Sequence, residues 1–317
     1  MYKKIKQFFV KTSFLIVALI FASDFSSIAH AENSPITIKI APLMYEEKVK
    51  PSDIKEGFIS VANPTDNSQK IVVETGNFKM KGYTGDLDFY GDTTEKDEFT
   101  DFVELQSKEF TLGAQEGRRV KFRIRVPEYS SGGYYGVIFF RAVSDTVSSD
   151  VTAKLSPRVG TLFILEAGEG KKDGRVENLV QTEGLFGKKV NVSLDFLNLA
   201  GYNDFPRGSY LKPAGKITVK NILGKEIYSK TIEGMYVLPK NKRVISAGFD
   251  NPYMFGIYKA KASISKFPGS GEEISERYFI KLSPIILIGV LLFIDLALFM
   301  AIVTLKKRKK QKRAMKK

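Results

Sequence analysis

The stretch GRRVKFRIRVP, residues 117–127, alternates apolar and charged side chains and ends at a proline. Successive side chains of a β-strand point to opposite faces, so this alternation predicts a strand with one buried and one solvated face. The apolar set is Val120, Phe122, Ile124 and Val126, and the charged set is Arg119, Lys121, Arg123 and Arg125. Pro127 ends the strand because proline cannot donate to a sheet ladder.

Period-two alternation dominates the region from 32 to 282, and no convincing amphipathic helix is seen there. The clearest further segments are ITIKIAPL (36–43), GFISVANP (57–64), GGYYGVIFFRA (132–142), RVGTLFILEA (158–167) and KKVNVSLDFLNLAG (188–201). GKITVKNILGKEIYSKTI (215–232) is predicted to be a hairpin that turns at Leu223-Gly224. Short strands separated by Gly, Pro and Asn predict an all-β, antiparallel sandwich architecture.

The pattern restarts after GEGKKDGR (168–175), a Gly-rich and charged segment that is interpreted as a linker. Each half has a strand that ends near an asparagine, Asn63 or Asn198, and each later has a Gly-x-Tyr strand. We therefore predict two tandem immunoglobulin-like antiparallel β-sandwiches, the first over 32–169 and the second over 170–282.

An apolar stretch of 23 residues, 283–305, carries a single charge, Asp295. At 1.5 Å per residue the stretch is long enough for a hydrocarbon core of about 30 Å. Its 15 Leu, Ile, Val and Phe residues contribute roughly −5 to −9 kcal/mol to insertion, against about +3 for one acid. The sequence predicts a single transmembrane helix, in which Asp295 is either tolerated or contacts a polar group of another membrane helix.

Both ends of the chain predict its topology. Residues 1–31 read as a signal peptide, with a basic start, an apolar run too short to span and small residues before a cleavage site after Ala31. Residues 306–317 form a tail with nine Lys and Arg residues, and such positive flanks stay in the cytoplasm. We expect a single-pass plasma-membrane protein with its N-terminal ectodomain outside the cell and its tail inside.

The net charge of +14 belongs mostly to these ends. Four Lys and one Asp lie in 1–31, and nine cations and Asp295 lie in 283–317. The ectodomain, 32–282, therefore keeps 36 of the 49 cations and 33 of the 35 acids, a net charge of about +3. Total charge thus gives no support to nucleic-acid binding, and no nucleic-acid partner is expected.

The residue census excludes several kinds of site. The chain has no Cys and no Trp, and its one His, His30, lies in the expected signal. A mature chain without His or Cys lacks His-assisted Ser or Cys catalysis, thiol chemistry and His or Cys metal sites. We expect no catalytic residue, no cofactor and no metal, and therefore not an enzyme.

Two other groups of residues can be explained by either a structural or a functional role. The acidic segment 84–101 lacks the spacing of a calcium loop and is better explained as a solvated insertion than as a Ca²⁺ or glycosidase site. Its acids are Asp86, Asp88, Asp92, Glu95, Asp97, Glu98 and Asp101. Tyr129, Tyr134 and Tyr135 are better explained by core and corner packing than by a sugar-stacking platform.

A basic stripe is the candidate binding face, and its members are Arg118, Arg119, Lys121, Arg123 and Arg125. Such a stripe can bind an anionic cell-wall polymer or an acidic partner. The alternative is an ordinary solvent face or a charged edge that discourages strand pairing.

The segment VPEYSSGGYYGVIFF (126–140), preceded by EFTLGAQEGRRVKFRI (109–124), resembles the WxL-interacting surface proteins of Gram-positive bacteria. Over 32–317 the order of two sandwiches, one helix and a basic tail is also similar. The resemblance implies a first domain that binds peptidoglycan and a second that binds a host protein, and it transfers no site residue. The first domain is also similar in outline to pilus chaperones, which lack this anchor.

The leading hypothesis is a non-enzymatic, membrane-anchored surface protein that binds cell-wall polymer or another surface protein. The alternative is a chaperone-like surface assembly factor that completes the sheet of a partner by strand addition. The sequence does not predict an oligomeric state.

Overall fold

The computed structural model describes residues 38–91, 98–143, 158–201 and 206–314, with side chains up to Lys306. The expected signal peptide and nearly all of the basic tail's side chains lie outside these residues. Strands dominate the described residues, which confirms the predicted all-β class.

Ten strands and a one-turn helix form the first sandwich. They are β1 (Lys39–Ala41), β2 (Met44–Val49), β3 (Ile54–Ala62), β4 (Gln69–Lys81), β5 (Asp86–Tyr90), α1 (Phe99–Phe102), β6 (Val103–Leu105), β7 (Glu109–Leu112), β8 (Gly117–Arg125), β9 (Gly132–Val143) and β10 (Arg158–Ala167). One sheet has the order β1-β3-β8-β6, and the other has the order β2-β10-β9-β4-β5 with β7 also paired to β4.

Seven strands form the second sandwich, and a long helix follows them. The elements are β11 (Gly174–Gln181), β12 (Lys189–Asn198), β13 (Ala214–Asn221), β14 (Glu226–Ile232), β15 (Lys242–Asp250), β16 (Phe255–Ser265), β17 (Glu272–Leu282) and α2 (Pro284–Ala314). Their sheets have the orders β11-β12-β15 and β14-β13-β16-β17. The two predicted immunoglobulin-like sandwiches and the C-terminal helix are therefore confirmed.

One strand pair departs from the antiparallel prediction, because β2 runs parallel to β10. The segment predicted as one strand over 36–43 divides near Pro42. Its first part, β1, pairs with β3 in one sheet, and the chain then crosses to the other sheet as β2. The chain keeps its direction when it crosses to the second sheet. The strand that it meets there, β10, runs in the same direction, so the pair is parallel.

The strand β9 is buried on both faces, and this explains its almost continuous apolar sequence. Its residues Gly132–Phe140 are all buried. Ile138 and Phe140 face the core between the two sheets, whereas Val137 and Phe139 form a second cluster that also includes Leu238 of the second sandwich. The strands of a sheet that is covered on both sides have nearly continuous apolar sequences instead of alternating ones.

The paired asparagines predicted at the strand ends have the same structural role. Asn63 and Asn198 are each 1% exposed. The Asn63 amide donates to the carbonyls of Asn67 and Gly113, each at 2.7 Å. The Asn198 amide donates to the carbonyls of Ser209 and Val237, each at 2.9 Å. Each buried amide thus ties its strand end to the neighbouring loops by donating to their backbone carbonyls.

The predicted hairpin at Leu223-Gly224 is also confirmed. The strands β13 and β14 are joined by the turn 222–225, and Gly224 has a φ of 82°. The left-handed conformation at this position suits glycine because it has no Cβ.

In the described part of the chain, one helix is long and apolar enough to cross a membrane. The stretch Pro284–Lys306 of α2 has 23 residues, and each of them is partly or fully exposed. This is the segment predicted over 283–305, and Asp295 lies exposed within it. The orientation of this helix across a membrane stays a prediction.

Candidate binding face

The outer face of the sheet β1-β3-β8-β6 carries most of the predicted basic stripe. The register pairs Ile54 with Arg125, Glu56 with Arg123, Phe58 with Lys121 and Ser60 with Arg119. Directly paired residues of neighbouring strands share a face. Val120, Phe122 and Ile124 are buried beneath, as predicted. Arg119, Lys121, Arg123 and Arg125 therefore project together, and we call this surface, with Lys39, Glu56, Phe58 and Glu104, the basic face.

Arg118 does not belong to this face, which corrects the predicted stripe. It pairs with Val61, a core residue, and so points to the inner side of the sheet. Its guanidinium lies 4.8 Å from the centroid of the Phe110 ring in the opposite sheet. Arg118 points to the same inner side of the sheet as Val120 and Phe122. Because it lies at the end of the strand, its side chain can cover the edge of the core through a cation–π contact.

Two arginines of the basic face are engaged by carboxylates. Arg123 binds Glu56 with a nitrogen–oxygen distance of 2.5 Å, and Arg125 donates to Glu104 at 2.6 Å. Arg123 also lies 3.9 Å from Glu104. The hydrogen bond from Arg125 holds the pKa of Glu104 below its usual value. These contacts restrict both guanidinium groups and offset part of their charge.

The other part of the basic face combines free cations with an exposed aromatic ring. Phe58 is 43% exposed, and the Arg119 guanidinium lies 4.5 Å from its ring centroid. Neither Arg119 nor Lys121 forms an ion pair with any residue that the structure describes. With Lys39 the face has five cations against Glu56 and Glu104, a net charge of +3. This combination suits ligands that carry both negative charge and a flat apolar surface.

The side of the first sandwich next to the basic face has free strand edges. The strand β1 covers only Ser60–Ala62 of β3, so residues 54–59 have no strand partner on that side within the described chain. Tyr45 of β2 partly closes the gap between the sheets. Its ring stacks on Phe163 at 5.1 Å, and its hydroxyl donates to the carbonyl of Phe58 at 2.7 Å. A small apolar slot remains between β2 and β3, with Phe122 and Leu165 at its base and Glu47 and Lys55 at its mouth.

A polar cluster joins the two sandwiches. Glu46 of β2 accepts hydrogen bonds from Tyr210 at 2.8 Å, from Lys212 at 3.1 Å and from Tyr236. Burial alone would raise the pKa of Glu46, but the hydrogen bonds from Tyr236, Tyr210 and Lys212 outweigh it and lower that pKa. Burial, together with the bond to Glu46, raises the pKa of Tyr210. These hydrogen bonds and the ion pair between Glu46 and Lys212 hold the two sandwiches together.

A second contact at this junction buries an ion pair. Arg207 lies 3.5 Å from Glu98, with 13% and 12% of their side chains exposed. The Arg207 guanidinium also lies 4.6 Å from the centroid of the Tyr134 ring. Sequence patterns did not reveal Arg207 or Glu46, and they gave Glu98 only as one acid of the segment 84–101. Arg207 is 109 positions from Glu98, and Glu46 is 164 positions from Tyr210, so no local spacing signals these contacts.

The remaining predicted candidates are placed as follows. Tyr134 and Tyr135 are buried, as the packing interpretation predicts, but Tyr129 is 85% exposed, so that interpretation is wrong for Tyr129. Asp86 and Asp88 lie on β5, whereas Glu98 and Asp101 cap α1. Asp92, Glu95 and Asp97 lie outside the described residues. Among the residues that are described, no three acidic side chains are grouped as metal ligands would be.

No family model matches the sequence, and no curated protein matches it. The fold is similar to a solved chaperone–tip adhesin complex of CFA/I fimbriae biogenesis, with 11% identity over 78% of this chain and 99% of that chain and a TM-score of 0.41. It is also similar to the class 5 fimbriae chaperone CfaA, with 13% identity, 77% and 99% coverage and a TM-score of 0.39.

Proposed function

We propose that this chain is a non-enzymatic, membrane-anchored surface protein whose first sandwich binds an anionic cell-wall polymer such as peptidoglycan. The observation that carries the proposal is the basic face, where Arg119 and Lys121 flank the exposed ring of Phe58 without a carboxylate partner in the described chain. An acidic surface protein would be recognised by the same charges and is the other partner class that the face suits.

The position of the basic face supports this role. The opposite, six-stranded sheet of the first sandwich packs against Leu238 and Tyr236 of the second sandwich. The basic face is on the sheet turned away from that contact, so the second sandwich does not cover it. A membrane anchor at the C-terminal end leaves this surface of the first sandwich available to the wall.

The first test measures binding of the full chain, held in detergent micelles, to insoluble peptidoglycan by sedimentation. We expect Arg119→Ser with Lys121→Ser to weaken binding roughly threefold to tenfold at low salt, since each lost surface contact is worth about 0.5 kcal/mol. The matched control is Lys216→Ser with Lys220→Ser, which removes two exposed lysines from the second sandwich. Equal binding by the two double variants would contradict the proposal.

Strand addition is a second candidate, and the free edge of β3 at residues 54–59 favours it. The slot beside this edge would accept one apolar side chain of an incoming strand. Against this, Glu47 and Lys55 at the mouth of the slot and Lys48 on β2 place charges where natural edges discourage pairing. The geometry therefore favours the basic face over the edge.

Because the chain has no cysteine, single cysteines can distinguish the two candidates. A photo-crosslinker would be attached in cells through Lys55→Cys at the edge or Lys121→Cys on the basic face. Protein adducts at position 55 alone would support strand addition. Wall-polymer adducts at position 121 alone would support the leading proposal.

A further inference from the structure

The chain passes from the second sandwich into α2 through a single residue, Ser283. This residue is fully buried, and its hydroxyl donates to the carbonyl of Pro252 in the loop between β15 and β16. Its oxygen atoms also accept hydrogen bonds from the first turn of the helix, Oγ from Ile286 at 3.3 Å and the carbonyl from Leu287 at 3.0 Å. The helix therefore starts at the surface of the sandwich, without a flexible linker.

A second loop is fixed to the same point. The backbone of Leu282 donates to the carbonyl of Leu185 at 2.9 Å, in the loop between β11 and β12. The fully buried Lys281 extends its amine to the carbonyl of Gly184 at 2.6 Å. The loops 182–188 and 251–254 are also bonded to each other, from Asn251 to Lys188 at 2.8 Å. Both loops therefore flank the residues that lead into the helix.

Six large apolar side chains are exposed at this end of the second sandwich. The antiparallel order places three connections here, namely the loops 182–188 and 251–254 and the turn 222–225. We call the exposed apolar side chains of these connections, with that of Phe255 at the start of β16, the apolar collar, which consists of Leu185, Phe186, Ile222, Leu223, Tyr253 and Phe255. Leu223 is 87% exposed, Tyr253 is 69% exposed and Phe186 is 59% exposed.

The other end of the second sandwich differs. Of the residues described in its connections, 199–201, 206–213, 233–241 and 266–271, only Leu199 is a large apolar residue with a highly exposed side chain. Single exposed apolar residues are ordinary on a protein surface, but a group of six at one end indicates an interaction site.

The length of α2 places the collar relative to a bilayer. The stretch Pro284–Lys306 is about 34 Å long at 1.5 Å per residue, which fills a hydrocarbon core of about 30 Å. Residues just before Pro284 then lie in the headgroup layer, which is roughly 5–8 Å deep on each side. Loops bonded directly to residues 281–283 lie at the same depth. The turn 222–225 reaches to within about two residues of this level, since Asn221 is paired with Tyr258.

The composition around the collar suits the headgroup layer. Tyr253 is an aromatic residue with a polar end, a type that is enriched at membrane interfaces. Lysines at 188, 189, 220 and 225 surround the collar, against acids at 183, 226 and 250. Lysines near a membrane surface are attracted to anionic lipid.

We infer that the apolar collar inserts into the lipid headgroup layer of the membrane that α2 crosses, so that the second sandwich rests on the bilayer as a rigid base. This inference depends on the membrane anchor of the proposed function. It commits to lipid as the occupant because two of the three collar connections are hydrogen-bonded to the segment that enters the helix. The first sandwich, at the other end, is thereby held away from the membrane.

The experiment uses single cysteines in the full chain, reconstituted in vesicles of zwitterionic and anionic phospholipid. Phe186→Cys and Tyr253→Cys place an environment-sensitive fluorophore in the collar. Leu199→Cys is the matched control at the far end of the same sandwich, and Val290→Cys reports on the helix. Quenching is measured with iodide in the water and with spin-labelled lipid in the bilayer.

We expect labels at 186 and 253 to be quenched at least threefold more by the lipid quencher than the label at 199, and to be correspondingly protected from iodide. Labels at 186 and 253 that behave like the label at 199, while the label at 290 is quenched by lipid, would overturn the collar inference and leave the anchor intact. Protection from both quenchers at 186 would show that protein covers the collar, and would also overturn it. Failure of lipid to quench the label at 290 would overturn the anchor itself.

Discussion

The hydroxyl of Tyr210 donates a 2.8 Å hydrogen bond to the carboxylate of Glu46, and this bond joins the second sandwich to strand β2 of the first. Lys212 and Tyr236 bind the same carboxylate. One acid therefore receives three donors from the other sandwich. Because these contacts depend on the negative charge of Glu46, this part of the junction is sensitive to pH, unlike a contact made by apolar packing.

We predict that the Glu46 contact is lost in acid. The folded protein holds the pKa of Glu46 below its ordinary value of 4.5, so the contribution of this group to stability is complete above about pH 4.5. It is lost as the pH falls below that value, through the folded pKa. The free energy of unfolding of Glu46→Gln should therefore be lower than that of the unmodified chain at pH 7, and the difference should shrink at pH 3. A difference that is constant with pH would contradict this assignment.

The buried amide of Asn198 should be critical for the second sandwich. Asn198→Ala removes the side-chain donor to the carbonyls of Ser209 and Val237 and the acceptor of the Ala200 N–H. The Val237 carbonyl keeps its bond from the Leu211 N–H, and each buried group that is left unsatisfied costs about 1–3 kcal/mol. We expect a loss of roughly 2–4 kcal/mol in chemical denaturation. Asn191→Ala, on the same strand but partly exposed, is the control and should change the free energy by less than about 0.5 kcal/mol. Similar losses in both variants would indicate that β12 does not tolerate alanine generally.

Gly136 allows the one-turn helix α1 to pack on β9. A Cβ at this position would collide with the ring of Phe99, which is fully buried and lies 5.0 Å from the Phe163 ring, centroid to centroid. We expect Gly136→Ala to destabilise the first sandwich by about 1–3 kcal/mol, as overpacked cores are. Gly271→Ala, where an added Cβ meets no atom within 4 Å, should be nearly neutral in the same thermal or chemical unfolding assay.

Much of this fold follows from local sequence, because alternation reports which side of a strand is buried. Alternation predicted the strand β8, and local sequence signals predicted the turn 222–225 and the paired asparagines at the strand ends. Contacts between distant residues were not, since neither Glu46 nor Arg207 has a neighbour in sequence that signals its partner. The inward position of Arg118 was missed because a charged residue at a strand end is ambiguous until the opposite sheet, with Phe110, is known. The short helix α1 was missed because four residues carry no helical period.

Removal of residues 284–317 should release the chain from the membrane. The apolar stretch Pro284–Lys306 is the only one in the described chain that is long enough to span a bilayer. Collar insertion alone buries too few side chains for stable anchoring, since even a single acyl chain binds membranes only reversibly. We expect the truncated chain in the medium of secreting cells, measured by immunoblotting of medium and membrane fractions. Retention of most of it in the membrane fraction would contradict the proposed topology.

Glu104 limits the positive charge of the basic face. Its carboxylate lies 2.6 Å from Arg125 and 3.9 Å from Arg123, so it offsets the charge of two arginines that a ligand would otherwise meet. Glu104→Gln raises the net charge of the face from +3 to +4 and keeps the shape of the side chain. We expect this variant to bind peptidoglycan roughly twofold to fivefold more tightly at 50 mM salt, because exposed charges still interact at that ionic strength.

The gain should disappear at 500 mM salt, where exposed charges are screened within a few ångströms. Glu226→Gln is the matched control, because Glu226 lies 3.8 Å from Lys216 on the second sandwich and its loss changes the total charge equally. A gain in Glu104→Gln alone would localise the binding to the basic face, since net charge by itself would act in both variants. An equal gain in both would show that the polymer responds only to total charge, and no gain in either would leave Arg123 and Arg125 outside the binding surface.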